Sequence, residues 1–114
     1  MIPGNPRVYL CLEPVDMRRS FDALALLAQQ RCGSHPQSGS LFCFLSRSGR
    51  RLKLLWWERN GYCILYKRLH GACFVLPDGA SPGAESMSID RDQLAALLSG
   101  IELSEKHTKR LIMH

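Results

Sequence analysis

Residues 47–70 read RSGRRLKLLWWERNGYCILYKRLH, and this stretch decides the fold that the sequence predicts. Runs of mostly apolar and aromatic residues, which are typical of β-strands, lie on both sides of Asn60-Gly61. This pair favours a tight hairpin turn. We therefore expect two antiparallel strands, at 51–58 and 62–69. The stretch also holds seven of the fifteen basic residues and a single acid, Glu58. Its basic residues are Arg47, Arg50, Arg51, Lys53, Arg59, Lys67 and Arg68.

The predicted turn fixes an expected pairing of the two strands. A two-residue turn at Asn60-Gly61 pairs Arg59 with Tyr62, and it places Lys53 opposite Arg68. Side chains alternate between the two faces of a strand. One end of a single face would therefore gather Arg51, Lys53 and Arg68, and the same face would continue with Leu55, Trp57, Ile64 and Tyr66.

A basic, aromatic ribbon of this kind has the chemistry of a nucleic-acid surface. Arginine and lysine neutralise phosphates, and exposed aromatic rings stack on unpaired bases. The predicted binding residues are Arg47, Arg50, Arg51, Lys53, Arg59, Lys67 and Arg68, with Trp57 and Tyr66 as stacking candidates. Three other readings stay open: packing of the aromatic residues within the sheet, contact with a protein partner, and a merely solvated basic face.

No catalytic or metal-binding pattern competes with the ribbon. The histidines at 35, 70, 107 and 114 lack metal-ligand spacing, and no phosphate-binding loop occurs. The five cysteines include no CxxC pair, which is typical of reduced, mostly buried thiols. The sequence thus predicts a protein that is not an enzyme, with no cofactor and no metal.

The rest of the chain predicts an α+β fold in a single compact domain, residues 1–104, followed by a charged, mobile tail at 105–114. Strands are expected at 7–12, 40–46 and 72–76, with one more at 87–89. One helix should begin at Met17, capped by Asp16, and end near Gly33. A second should run from about 90 to 99, with Asp90 and Gln93 forming a capping box. The elements together make a mostly antiparallel sheet of four to five strands packed with two helices.

The sequence shows no recognisable segment for secretion or for crossing a membrane. The amino terminus lacks the long apolar segment of a secretory signal, and no apolar run approaches the ~20 residues of a membrane span. We expect a cytoplasmic protein without a membrane partner, located at the bacterial nucleoid if it binds DNA.

Short motifs along the whole chain are shared with a known family. They are Arg7-Val8-Tyr9, Asp16-Met17-Arg18-Arg19, Ser20-Phe21-Asp22, Leu24, Gly39, Leu41-Phe42, Phe44, the block KLLWWERNGYCILYKRL at 53–69, Phe74, Pro77, Leu94 and Leu98-Ser99-Gly100-Ile101. On these residues the chain resembles the small TnpB accessory proteins of insertion-sequence family sixty-six, which are distinct from the RNA-guided nucleases of the same name. The chain departs from the family pattern at Leu76, where a tryptophan is usual, and in its high cysteine content.

The resemblance implies an accessory role in DNA transposition without strand transfer. Such proteins are encoded beside a DDE-type transposase and a second small accessory protein, and no catalytic residues are carried over. The expected partners are DNA or another nucleic acid, the transposase and the companion accessory protein, and an open sheet edge would also permit a homodimer. The alternative function is a protein-interaction adaptor or regulator that docks the transposase or the companion.

Overall fold

The structure is a computed structural model that describes residues 4–103, so the tail predicted at 105–114 lies outside the described residues. The elements in chain order are β1 (Val8–Cys11), α1 (Phe21–Cys32), β2 (Leu41–Leu45), β3 (Arg51–Glu58), β4 (Gly61–Arg68), β5 (Ala72–Cys73), β6 (Ser86–Ile89), α2 (Arg91–Ser99) and β7 (Ile101–Glu102).

Five of the strands form one sheet in the order β4-β3-β2-β1-β6, and β5 pairs with β7 in a small second sheet. β1 and β2 are parallel because α1 connects them as a crossover, while all other pairs are antiparallel. The predicted fold class, an α+β domain with two helices and a mostly antiparallel sheet, is confirmed.

Both faces of the sheet are covered at its centre. On one face α1 buries Leu24 and Ala28 against Phe42 and Phe44 of β2. The other face packs against α2 and the chain around β5, through residues that include Leu97 and Phe74. β2 lies between the two layers and all five of its residues are buried, as a continuous apolar run predicts.

The first helix begins four residues later than predicted. Its N-cap is Ser20 and not Asp16, and the Ser20 side chain makes no capping hydrogen bond. The Asp16 carboxylate instead accepts hydrogen bonds from the backbone and side chain of Arg18, so it closes a turn ahead of the helix. The predicted end at Gly33 is confirmed, with a left-handed φ of 64°.

The second helix follows its sequence signals closely. Asp90 Oδ1 accepts from the Gln93 amide at 2.8 Å, and Gln93 Oε1 accepts from the Asp90 amide at 2.9 Å. This is the predicted capping box. β5 is shorter than predicted, because only Ala72 and Cys73 find a partner strand, and Val75 and Leu76 are exposed.

The predicted register of the hairpin is wrong by two residues. The turn consists of Arg59 and Asn60, so that Glu58 pairs with Gly61 and Lys53 pairs with Tyr66. Arg59 takes a left-handed φ of 58°, the position expected for glycine or asparagine, and Gly61 already belongs to β4. The division of side chains between faces survives, because a two-residue shift does not change it.

Candidate nucleic-acid interface

Four exposed arginines lie at one end of the sheet. Arg47 and Arg50 belong to the turn between β2 and β3, Arg51 begins β3, and Arg68 ends β4. We call this group the basic end. Arg51 stands directly opposite Arg68 in the hairpin, and both lie on the face that α1 covers further along. Like charges placed directly opposite each other repel, and an anion between them removes the repulsion.

The basic end borders a cleft. Its lining consists of Ser48, Arg50, Arg51, Arg68, Leu69 and His70. Arg68 and His70 are 3.4 Å apart between Nη2 and Nε2. The ion pairs seen within residues 4–103 join Arg18 to Asp16 and Arg31 to Glu13. None of the four arginines of the basic end takes part in these two ion pairs, so no acid among residues 4–103 neutralises them.

The turn that carries Arg47 and Arg50 is held on several sides. Gly49 has a φ of 73° and donates its amide to the Ser46 carbonyl at 3.0 Å. The Arg51 amide donates to Ser46 Oγ at 3.1 Å. Gly49 and Arg50 also accept hydrogen bonds at their carbonyls, from the amides of Phe74 at 2.7 Å and Leu69 at 2.8 Å. The backbone of this turn is therefore fixed by neighbours on both β4 and the chain after β5.

A second cleft adjoins the first and contains a cation that the sequence analysis did not select. It is lined by Pro14, Val15, Asp16, Met17, Arg18, Ser46, Arg47, Ser48 and Arg51. Arg18 arrives there because the Val15 amide donates to the Leu45 carbonyl at 2.8 Å, which fastens the segment before α1 beside the end of β2. No sequence pattern marks that contact, since it joins residues thirty positions apart.

Asp16 neutralises part of the charge in the second cleft. Its carboxylate lies 2.6 Å from Arg18 Nη2. The side-chain and backbone hydrogen bonds from Arg18 hold the pKa of Asp16 well below its usual range. Arg18 therefore contributes less net charge to an anion than the four arginines of the basic end.

Lys53 occupies a different environment from the one predicted. It is only 7 % exposed, and its Nζ donates to the carbonyls of Met17 and Arg19, each at 2.7 Å. The ammonium also lies 4.8 Å from the centre of the Tyr66 ring. These contacts tie the segment before α1 to the sheet, so a phosphate could reach Lys53 only after they break.

Lys67 also has a structural contact. It lies on the face opposite to Arg68, and its Nζ donates to the Leu98 carbonyl at 2.7 Å. A cation at this place satisfies one of the open carbonyls in the last turn of α2 and complements the helix dipole. Its side chain is half-buried, and it does not lie in the lining of either cleft at the basic end.

Arg59 lies far from the basic end. It sits in the turn at the other end of the hairpin, and eight-residue strands separate it from Arg51 and Arg68 by roughly 25 Å. There it lines a groove together with Arg7, Trp56 and Trp57. The structure thus brings together four of the seven predicted cations. Lys53 is buried beside them, Lys67 lies on the opposite face, and Arg59 lies at the other end of the hairpin.

The two predicted stacking residues differ in accessibility. Trp57 is half-buried and packs edge-on against Tyr62, with ring centres 4.9 Å apart. Tyr66 is 48 % exposed, and its hydroxyl lies 3.3 Å from Arg51 Nη1. Tyr66 is therefore the aromatic residue that adjoins the basic end.

The cysteines remain as thiols in the structure. Cys11 and Cys43 are buried, and Cys32, Cys63 and Cys73 are half-buried. Burial raises the pKa of Cys32 to about 11 and that of Cys43 to about 12. Across residues 4–103 no three potential ligands among histidine, cysteine and the acids come together as a metal site.

Neither of the two helices found between residues 4 and 103 has the length and apolar content needed to cross a lipid bilayer.

Comparisons with known proteins bear on most of the chain. The family model described as "IS66 Orf2 like protein" matches residues 6–108. Uncharacterized protein y4hO of Sinorhizobium fredii (strain NBRC 101917 / NGR234) is 41 % identical over 104 residues, covering 90 % of this chain and 88 % of the relative.

A second relative from the same strain is uncharacterized protein y4jC, which is 27 % identical over 96 residues. The match covers 84 % of this chain and 80 % of the relative. No solved structure matches the chain. The family match spans the strands, both helices and the basic end, and it confirms the resemblance drawn from the motifs: the chain belongs to the IS66 Orf2-like family of transposition-related accessory proteins.

Proposed function

We propose that the protein is a non-catalytic accessory factor of DNA transposition that binds nucleic acid through its basic end. The observation that carries the proposal is the direct opposition of Arg51 and Arg68 beside Arg50 and Arg47, with no ion pair among the described residues to neutralise them. Phosphates along a nucleic-acid backbone would relieve this repulsion and release counterions. Tyr66 lies within reach of an unpaired base at the same place.

The arrangement favours contact with the backbone over reading of base sequence. The four arginines are spread over one end of the domain, and α1 and α2 lie on the faces of the sheet and are not presented as a recognition helix. Contacts to phosphate position a protein without specifying sequence. A DNA-bound protein of this type would be found at the nucleoid, with the element's transposase close by.

The test is a titration of labelled element-end DNA and of labelled unrelated DNA with the full chain. Fluorescence anisotropy reports binding, and the titration is repeated at several salt concentrations. We expect the logarithm of the affinity to fall linearly with the logarithm of salt. Arg50→Gln and Arg68→Gln should each lower that slope by about one unit. Arg91→Gln is the matched control, because Arg91 is exposed and lies near Asn5 at the far end of the sheet.

Arg59→Gln should also leave the slope unchanged if a single protomer binds through the basic end alone. Binding that does not depend on salt, or that is equally sensitive to Arg91→Gln and Arg68→Gln, would refute the proposal. Repeating the titration with single-stranded DNA and with RNA identifies the preferred nucleic acid.

A second candidate function is an adaptor or regulator that docks the transposase or the companion accessory protein. It is favoured by exposed apolar side chains on α1, where Phe21 is 45 % and Leu26 is 56 % exposed. An apolar interface of this kind depends on buried side chains and much less on salt. Leu26→Ser should then weaken binding to purified transposase, whereas Arg68→Gln should not.

A further inference from the structure

The outer edge of β4 presents backbone groups that no other strand among residues 4–103 pairs with. β4 is the last strand of the five-stranded sheet. The Leu69 amide donates to the Arg50 carbonyl at 2.8 Å, which identifies Arg50 and Leu69 as a hydrogen-bonded pair. Such pairs alternate along an antiparallel hairpin. The residues whose N–H and C=O groups turn away from β3 are therefore Tyr62, Ile64, Tyr66 and Arg68.

This edge lacks most of the features that prevent an edge strand from pairing with another chain. β4 contains no proline, and its pairing with β3 is continuous over all eight residues, so no bulge interrupts it. Both of its charged residues, Lys67 and Arg68, lie at its carboxyl end. Between residues 4 and 103 no backbone group bonds to its outer side. Long, uninterrupted and largely uncharged edges act as templates for pairing with another strand.

We propose that β4 pairs with the β4 strand of a second copy of this chain, in antiparallel orientation, so that two five-stranded sheets join into one of ten strands. The two-fold axis passes through Leu65. In this register all four outward-facing residues pair, Tyr62 with Arg68 of the other copy and Ile64 with its Tyr66. The pairing supplies about eight intermolecular backbone hydrogen bonds. A shift of two residues in either direction leaves an outward-facing residue unpaired.

The side chains in this register fit a second copy. Leu65, which is 41 % exposed, meets Leu65 of the other copy across the axis. Ile64 and Tyr66 make an apolar cross-strand pair, and Arg68 lies beside the Tyr62 ring. No two cations stand directly opposite each other, because Lys67 faces Cys63. A strand of this sequence is therefore complementary to itself.

The dimer goes beyond the proposed binding of nucleic acid and does not depend on it. Its first test is sedimentation velocity of the full chain without nucleic acid, over a range of concentrations. We expect a reversible dimer. Leu65→Lys places two ammonium groups at the axis and should weaken association at least ~10-fold. Leu26→Lys, which changes an even more exposed leucine on α1 (56 % against 41 %), is the control and should dimerise as the wild type does.

A second variant tests the register and remains informative if Leu65→Lys fails to fold. Leu65→Cys brings two thiols together across the axis, within the Cα separation that a disulfide spans. Mild oxidation should give a covalent dimer, while Leu26→Cys should not. A wild-type chain that stays monomeric at every concentration, equal association of both lysine variants, or crosslinking through Leu26→Cys instead would overturn the proposal. Because nucleic acid is absent from these tests, failure of the dimer would leave the proposed binding of nucleic acid untouched.

Discussion

Lys53 and Tyr66 face each other across the hairpin, with the Lys53 ammonium 4.8 Å from the centre of the tyrosine ring. The same ammonium donates to two carbonyls in the segment before α1. One buried charge thus joins the edge hairpin, the middle of the sheet and the start of the helix. We therefore expect a substitution of Lys53 to change the stability of the fold more than the binding of a ligand.

We predict that Lys53→Met lowers the free energy of unfolding by about 1–3 kcal/mol, because it leaves the Met17 and Arg19 carbonyls without their donor. Urea denaturation followed by tryptophan fluorescence measures the change. Arg50→Gln serves as the comparison, since Arg50 is exposed, and it should unfold like the wild type. Equal stability of the lysine and methionine forms would contradict the assigned contacts.

Arg68→Gln should act in opposite directions on stability and on binding. Removing one of two directly opposed cations should stabilise the free protein by about 0.5 kcal/mol at low salt, and the gain should vanish at high salt because ions screen the repulsion. The same change should weaken nucleic-acid binding. Thermal unfolding at two salt concentrations measures the first effect. A loss of stability at low salt would show that Arg68 is already paired.

Gly100 and Gly33 both take left-handed φ values, 69° and 64°, but only Gly100 is crowded. A Cβ at Gly100 would lie 2.7 Å from Leu69 Cδ1 and 3.1 Å from the Cys73 carbonyl oxygen. We expect Gly33→Ala to cost about 1 kcal/mol from backbone strain alone. Gly100→Ala should cost clearly more, and chemical denaturation of the two variants tests the ordering.

The buried thiols predict an alkaline limit to stability. The pKa of Cys43 rises from 9.0 to about 12 on folding, so the neutral thiol is favoured in the native state. Above pH 9 the unfolded thiol ionises while the folded one does not, and the stabilising contribution is lost progressively up to about pH 12. Thermal midpoints measured from pH 7.5 upward should fall more steeply for the wild type than for Cys43→Ala.

Thiol labelling checks the same feature at a single pH. At pH 8 Cys43 should react with an alkylating reagent only as fast as the protein unfolds, whereas all five cysteines should react in denaturant. Mass spectrometry of the digested protein identifies the modified positions. Rapid labelling of Cys43 in the folded chain would show that β2 is more accessible than its burial indicates.

Local patterns in the sequence predicted much of the fold, and contacts between distant segments account for the errors. The capping box at Asp90 and the buried run of β2 depend on neighbouring residues, so the sequence reveals them. The assignment of Lys53 and Tyr66 to one face needed only alternation along a strand. Their direct pairing depends on where the turn lies. The Asn-Gly pair predicts a turn at residues 60 and 61, whereas the observed turn begins one residue earlier, with Arg59 in a left-handed conformation.

The sequence predicts the general location of the candidate site but not all of the residues that line it. The sequence places Arg47, Arg50 and Arg51 together simply because they adjoin a turn. It gives no sign that Lys53 is buried, because that depends on where the segment before α1 crosses the sheet. For the same reason Arg18, which approaches the turn through the bond from Val15 to Leu45, was not selected.

The turn between β2 and β3 is fastened by the amides of Phe74 and Leu69 as well as by its own serines. The backbone of the turn therefore loses its conformational entropy when the chain folds, before any ligand binds. Association at this place should involve little ordering of the main chain, leaving only the arginine side chains to lose freedom. Loosening the turn, by Ser46→Gly for example, should then slow productive encounter even though every positive charge is retained.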